Sequence, residues 1–368
     1  MHEGGVPVTE VLHPRPSPIV AAMYTLRDLD VDVIVMHGPP GCGFTASRLL
    51  EEAGVTVVTT GMQETDLIFG AEEKLVKLLK KVDEDFHPKM VGIVGTCASM
   101  IIGENLDAAI KKAGIRSIVL PIDTHGCSGP NTVGAIRVLE VAAAKGVIPW
   151  EEFERQREML TRATELERER GMTSKPYLKP HRGATKLKIA NKIVETLKEE
   201  GKVAVIVNAK KETAYRFADV LRAVEYARGK VGGSAVYIAN TDPAVGLPRI
   251  RRYSQDIIRD LTEAGVTVDF LTGGLDEYPV AGEKAAGYLK DRKVDLRVIC
   301  GLPHAVPDIT QRDVLVTDQP RVLRNFLDTG FEYSVGEIST HSALMGATGI
   351  VHSELGDTIR EVVDEELA

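Results

Sequence analysis

At 368 residues the chain is too long for one ordinary domain and suits two or three, and its 43% hydrophobic residues can fill a sizeable core rather than leave it disordered. A formal net charge of −8 argues against nucleic acid as the main partner, because phosphate binding needs clustered Lys and Arg. No apolar run reaches the roughly 18 residues of a membrane span, and the first residues show no basic start followed by an apolar stretch, so a cytoplasmic location without a membrane partner is expected.

The chain alternates short β-branched runs with amphipathic stretches, the pattern of parallel sheets with crossover helices. In the first half strands are expected at 31–37, 55–60, 89–96 and 117–123. Helices are expected at 72–82, where Leu75, Leu78 and Leu79 recur at helical spacing, and at 105–113. From 150 to 171 the composition shifts to a highly charged helix, which reads as a solvated face. The proline-bearing, basic stretch after it reads as a linker or exposed loop, and the domain boundary is placed within 174–185. The second half repeats the architecture, with strands at 202–209, 234–240, 266–274, 296–301 and 313–318 and helices at 212–227 and 249–264. A small-residue stretch, THSALMGATG, and a terminal helix at 357–367 close the chain. The expected fold is α/β, with two Rossmann-like doubly wound parallel-sheet domains at 1–175 and 176–368. Ligands of such sheets bind at the carboxyl ends of the strands.

Four cysteines are present, Cys42, Cys97, Cys127 and Cys300, none in CxxC spacing, so no zinc-ribbon or ferredoxin pattern arises. Three of them lie just after expected first-half strands: Cys42 in HGPPGCGFT, Cys97 in GTCASM and Cys127 in THGCSG. In a parallel sheet these three loops open on one edge. Cys300 sits inside the apolar run LRVICG, where core packing is expected. HGPPGCGFT has the glycine spacing of a phosphate loop, but Phe44 stands where the lysine should be, so no nucleotide is expected on this chain. The loop reads instead as a thiolate-presenting turn whose glycines let the backbone approach a bulky cluster.

Here a family resemblance enters. HGPPGCGF, then ETDLIFGAEEKLVKLL at 64–79, GTCASMIIGENLDA at 95–108 and THGCSGPNTVGA at 124–135 occur in the order and spacing of the nitrogenase component 1 family. The stretch HPRPSPIVAAMYTLRDLDVDVIVMHGPPGCGF most resembles the branch that reduces a nickel tetrapyrrole. The resemblance implies a nitrogenase component 1-like fold whose first domain, ending in the charged helix, binds the cluster. It implies one 4Fe–4S cluster per homodimer, held by Cys42 and Cys97 of each chain, with Cys127 ranked below them as a metal ligand. It further implies electrons from a separate iron-protein-like ATPase. The substrate implied is Ni-sirohydrochlorin a,c-diamide, whose macrocycle is reduced while a side-chain amide closes to a γ-lactam, a step of coenzyme F-430 synthesis. The chain departs from nitrogenase in having no cysteine before Cys42, which implies less than an eight-iron cluster, and in lacking a counterpart of the molybdenum-cofactor ligands. Two other readings stand beside this one: a reductase of another tetrapyrrole or a small sulfur compound, and a non-catalytic scaffold for cluster assembly. Catalytic residues stay open. Arg15, Arg48 and Arg249 are candidates for substrate carboxylates, and His13, His125, His304 and His341 for proton donors.

Overall fold

The computed structural model describes residues 17–126, 130–169, 183–339 and 341–367. It divides into two compact units. One holds the described residues up to Thr161 together with Leu247–Arg249; the other holds Arg162–Gly246 and the chain from Ile250 onward. The boundary expected within 174–185 falls largely outside the described residues.

In the first unit α1 (Pro18–Asp28) starts behind Ser17, whose hydroxyl accepts from Val20 N. There follow β1 (Val33–His37), α2 (Phe44–Glu52), β2 (Thr56–Thr59), α3 (Glu64–Phe69), α4 (Glu72–Phe86) and β3 (Met90–Gly95). Then come α5 (Cys97–Ile101), α6 (Leu106–Ala113), β4 (Ile118–Ile122), α7 (Thr132–Ala144) and the charged α8 (Trp150–Glu169), within which the two units divide. All four expected strands form, in the parallel order β2-β1-β3-β4. Side chains alternate across a strand. Val33, Val35, Val91 and Ile93 therefore pack on one face with Leu75 and Leu79 of α4 and Ala109 of α6. Gly92, one position out of phase, faces α1 closely enough that a Cβ there would meet Leu26 at 2.6 Å. Helices thus cover both faces, the condition for an all-parallel sheet.

The second unit contains α9 (Ala184–Lys198), β5 (Lys202–Asn208), α10 (Ala214–Val231), β6 (Ser234–Ala239), α11 (Pro248–Glu263), β7 (Phe270–Leu271) and α12 (Tyr278–Leu289). It continues through β8 (Leu296–Gly301), β9 (Val314–Thr317), α13 (Pro320–Asp328), β10 (Ser334–Gly336), α14 (His341–Leu344) and α15 (Glu354–Leu367). Its sheet runs β10-β9-β8-β5-β6-β7, all parallel. Counted within the unit, that is the strand order 3-2-1-4-5-6 of a dinucleotide-fold sheet. Ala204, Ile206, Ile299 and Leu315 pack against Ala285, Val322 and Phe326 of α12 and α13, while α9, α10 and α15 pack on one another beside β5. Cys300 lies fully buried in β8, in the core as expected.

Two elements differ from expectation. The strand expected at 266–274 shrinks to Phe270–Leu271, because it is an edge strand with β6 alone as neighbour. Just before it, the Asp269 carboxylate takes the Tyr237 N–H at 2.7 Å. A sixth strand, β10, was not expected; its three residues are too few to show a period. Among the described residues no helix is long and apolar enough to cross a membrane.

Helix α7 approaches α1 through Gly134, where a Cβ would meet the Pro18 carbonyl oxygen at 1.9 Å. Gly134→Ala should therefore cost about 1–3 kcal/mol by overpacking. Gly287→Ala, in α12 with nothing within 4 Å, should instead gain about 0.5–1 kcal/mol from helix propensity. Thermal denaturation of the two variants checks the pair; equal stability would refute the close helix contact.

Candidate metal centre

The first sheet changes winding direction between β1 and β3, and ligands of open parallel sheets bind at the carboxyl ends of the strands at such a point. Cys42 and Cys97 follow those two strands. After His37 the chain passes Gly38, where a Cβ would lie 2.1 Å from the Thr96 hydroxyl. It then turns through the 3-10 segment Pro40–Gly43, closed by Cys42 N donating to Pro39 O at 3.2 Å. Cys42 is exposed at this turn. On the second loop, Thr96 and Ser99 cap α5 reciprocally, which makes Cys97 the first helical residue.

Thr96 binds the two loops together. It is fully buried, and both its N–H and its hydroxyl donate to the His37 carbonyl, each at 3.2 Å. The same hydroxyl reaches the Cys42 sulfur. A third loop arrives beside them, where Gly126 N donates to the Cys97 Sγ at 3.1 Å. Partial desolvation first, and then the neighbouring Cys97 sulfur, push the Cys42 thiol up from its ordinary value, while the Thr96 hydroxyl pulls it down. The Cys97 sulfur is thus near enough to make the Cys42 thiolate harder to form.

A thiophilic metal fits this donor set. Thiolate is the ligand form, and a metal replaces the proton that the crowding would otherwise retain. Iron–sulfur clusters are held by cysteine thiolates, four for a [4Fe–4S] cube, so two cysteines form half a set. Behind them His37 is fully buried and its imidazole pKa is lowered by burial, which Glu104 and Asp66 partly oppose. His37 Nε2 lies 3.3 Å from Glu104 Oε2 and Nδ1 lies 3.2 Å from the Thr60 hydroxyl, which accepts from Gly38 N at 3.1 Å. A neutral ring protonated on Nε2 satisfies every member: it donates to Glu104 and accepts from Thr60. Glu104 also accepts from Ala71 N at 2.7 Å. One histidine and one carboxylate thus fasten the turn before Cys42 to the loops after β2, α3 and α5.

The other expected residues fall elsewhere. His13, Arg15 and Cys127 lie outside the described residues. Arg48 is exposed and paired with Glu52 one helical turn on. Arg249 donates to Ala53 O at 2.8 Å and lies 3.4 Å from Asp30, so it braces the end of α2. His125 is exposed on the third loop, His304 is buried in the turn after β8, and His341 opens α14. The roles of His37, Thr60, Thr96 and Glu104 were missed. His37 and Glu104 stood inside the quoted motifs, but nothing in the sequence pairs residues 67 positions apart. Among the described residues Asp219, His352 and Asp357 also offer metal-ligand spacing. There Arg360 already pairs with both carboxylates, which reads as an ion-pair network.

The family model for nitrogenase component 1 type oxidoreductases matches residues 17–239. The chain is similar to the Ni-sirohydrochlorin a,c-diamide reductive cyclase complex component CfbD of Methanothermobacter thermautotrophicus, at 47% identity over 353 residues, covering 95% of this chain and 98% of the relative. It is similar to the component of the same name from Methanosarcina acetivorans at 46% identity, covering 96% of this chain and 98% of the relative. The nitrogenase molybdenum-iron protein alpha chain of Methanosarcina barkeri is 31% identical over 135 residues, covering 33% of this chain and 25% of that one.

In the cluster-free chain, Cys97→Ala should lower the Cys42 pKa and speed its alkylation by iodoacetamide, because a like charge is removed. Thr96→Val should raise that pKa and slow the reaction, because the hydroxyl that lowers it is lost. Alkylation rates followed from neutral to alkaline pH give both signs. An unchanged profile in Cys97→Ala would show that the two sulfurs do not sense each other.

Proposed function

Since the chain belongs to the nitrogenase component 1 type oxidoreductase family, we propose that it is the cluster-bearing catalytic component of a reductive cyclase acting on Ni-sirohydrochlorin a,c-diamide. Near full-length similarity to the CfbD components supports the substrate. The observation that carries the chemistry is the meeting of Cys42 and Cys97 at the β1/β3 switch point.

On this reading two chains contribute Cys42 and Cys97 each to one 4Fe–4S cluster on a two-fold axis. The surface around the cysteines supports a homodimer: Phe44, Ile68, Phe69 and Ile101 are 76%, 74%, 86% and 78% exposed. Large apolar side chains clustered this way mark an interaction surface. Cys127 follows Gly126 on the third loop and is a further candidate ligand. When bound, the cluster supplies single electrons to the macrocycle, which takes up protons while a side-chain amide closes to a γ-lactam in the route to coenzyme F-430. The chain's own residues hold and tune that group. The Thr96 hydroxyl stands beside the Cys42 sulfur and favours its anionic form, the Gly126 N–H donates to the Cys97 sulfur, and the His37–Glu104 pair holds the turn before Cys42 in place. The electrons come from an iron-protein-like ATPase, CfbC. ATP is spent there, because Phe44 takes the place of the phosphate-loop lysine in this chain.

The test is anaerobic turnover of Ni-sirohydrochlorin a,c-diamide with the partner ATPase and ATP. Wild type should turn over, whereas Cys42→Ala and Cys97→Ala should lose bound iron and activity together. Cys300→Ala should keep its iron and lose only about 1–2 kcal/mol of packing stability. Turnover by an iron-free Cys42→Ala variant would sink the proposal, and an iron-loaded wild type that instead passes its cluster to another protein would point to a scaffold. A second expectation concerns assembly: Phe69→Asp or Ile101→Asp should give a monomer that binds little iron, read by sedimentation and iron content. A monomer retaining a fully ligated cluster would contradict the shared-ligand arrangement.

A further inference from the structure

The second sheet has a switch point of its own, between β5 and β8, and its carboxyl edge is where a ligand of this fold would bind. Among the described residues, the buried side chains on that edge that hold a polar atom without a hydrogen-bond partner include three neutral ones. They are Asn208 Oδ1, at the last residue of β5; Thr241 Oγ1, just past β6; and Gln319 Oε1, just past β9. The residues are 1%, 0% and 9% exposed. Buried polar atoms in native proteins are overwhelmingly paired, so three orphans along one edge call for an explanation.

A neighbour shows that the edge can satisfy an amide when structure alone requires it. Asn240 accepts from Ala209 N at 3.0 Å and donates to Ala209 O and Gly274 O at 2.7 and 3.2 Å. Asn208 is treated differently. Its Nδ2 donates to Tyr278 O at 3.1 Å, which fixes the orientation of the amide and leaves its oxygen as the open group. Gly301, with φ +102, lets β8 close against this position, since a Cβ there would meet Asn208 O at 2.3 Å. Gln319 stands at the N-cap of α13 and makes no capping bond with its side chain.

The open atoms define the missing partner. Two amide oxygens accept only, so a carboxylate cannot pair with them and an N–H donor can. A cation is disfavoured, because the Lys210 ammonium already stands at this edge, 3.7 Å from Glu167. A neutral group with N–H donors is left, and a primary carboxamide has two. The strands leading to Asn208 and Gln319 are two steps apart in the sheet, about 10 Å, so each would read a separate amide. We propose that the carboxyl edge of the second sheet is a carboxamide-recognition subsite, in which Asn208 and Gln319 accept from ligand amides and the Thr241 hydroxyl pairs beside Asn208. The choice of ligand rests on the reading that the substrate is a nickel macrocycle carrying two amides.

The test uses cluster-loaded, full-length protein. Two ligands are titrated by absorption: Ni-sirohydrochlorin a,c-diamide, and the same nickel macrocycle with acids in place of the amides. Wild type should prefer the diamide by about tenfold or more, as sites built to hydrogen-bond a group reject analogues that lack it. Gln319→Leu and Thr241→Val should shrink that preference to about threefold or less without weakening the acid form. Without ligand, both variants should melt at the wild-type temperature or above, because an unpaired buried polar atom is removed. Variants that keep the preference, or that melt well below wild type, would overturn the subsite and assign these atoms to bridging water. Equal binding of both rings by wild type would overturn the subsite alone. Binding of neither ring would bring down the nickel-tetrapyrrole reading and the subsite with it.

Discussion

The candidate centre depends on the contact of Thr96 with the turn that follows β1. Gly38 leaves room for the Thr96 side chain, and Thr96 answers with two bonds to the His37 carbonyl. That one contact sets the distance between the Cys42 and Cys97 loops. Both begin at strands hydrogen-bonded to each other in register, His37 opposite Gly95, so the sheet itself delivers the two thiols to the same edge. The Cys97 sulfur makes the Cys42 thiolate harder to form, and a metal bound there would neutralise that charge.

A buried layer under the cysteines makes the arrangement rigid. His37 and Glu104 each use their hydrogen-bonding groups on separate loops, so displacing either would release several segments together. Burying a carboxylate is costly unless it is well bonded, and Glu104 meets that condition with a backbone N–H and an imidazole. The apolar side chains outside the layer, Phe44, Ile68, Phe69 and Ile101, occupy the opposite situation, large and exposed. The two cysteine loops are thus firmly supported from within, and the apolar side chains beyond them face solvent.

Much of this was legible in the sequence, for identifiable reasons. Parallel strands buried on both faces read as continuous β-branched runs, and each first-half run expected from that pattern forms a strand. Placing Cys42 and Cys97 on one edge needed only the rule that parallel strands end on the same side. Short or modified elements were not legible: β10 has three residues, and Asp269 shortens β7 by taking a backbone N–H with its side chain. The His37–Glu104 pair was hidden by sequence separation. The orphan acceptors Asn208, Thr241 and Gln319 could not have been read at all, because they are defined by bonds that are not made. The two windings also differ, 2-1-3-4 in the first sheet and the dinucleotide-fold order in the second, so each unit has its own switch point. The cysteines stand at one, and the open amide groups at the other.

The central claim is that one cluster is completed by two chains, and iron and acid-labile sulfide counted against the mass of the purified anaerobic protein, together with its Mössbauer spectrum, test it most directly. The account predicts a dimer with about four iron and four sulfide per two chains and the spectrum of a single cubane cluster. A dimer with about four iron on each chain, or a monomer carrying a complete cluster, would contradict it.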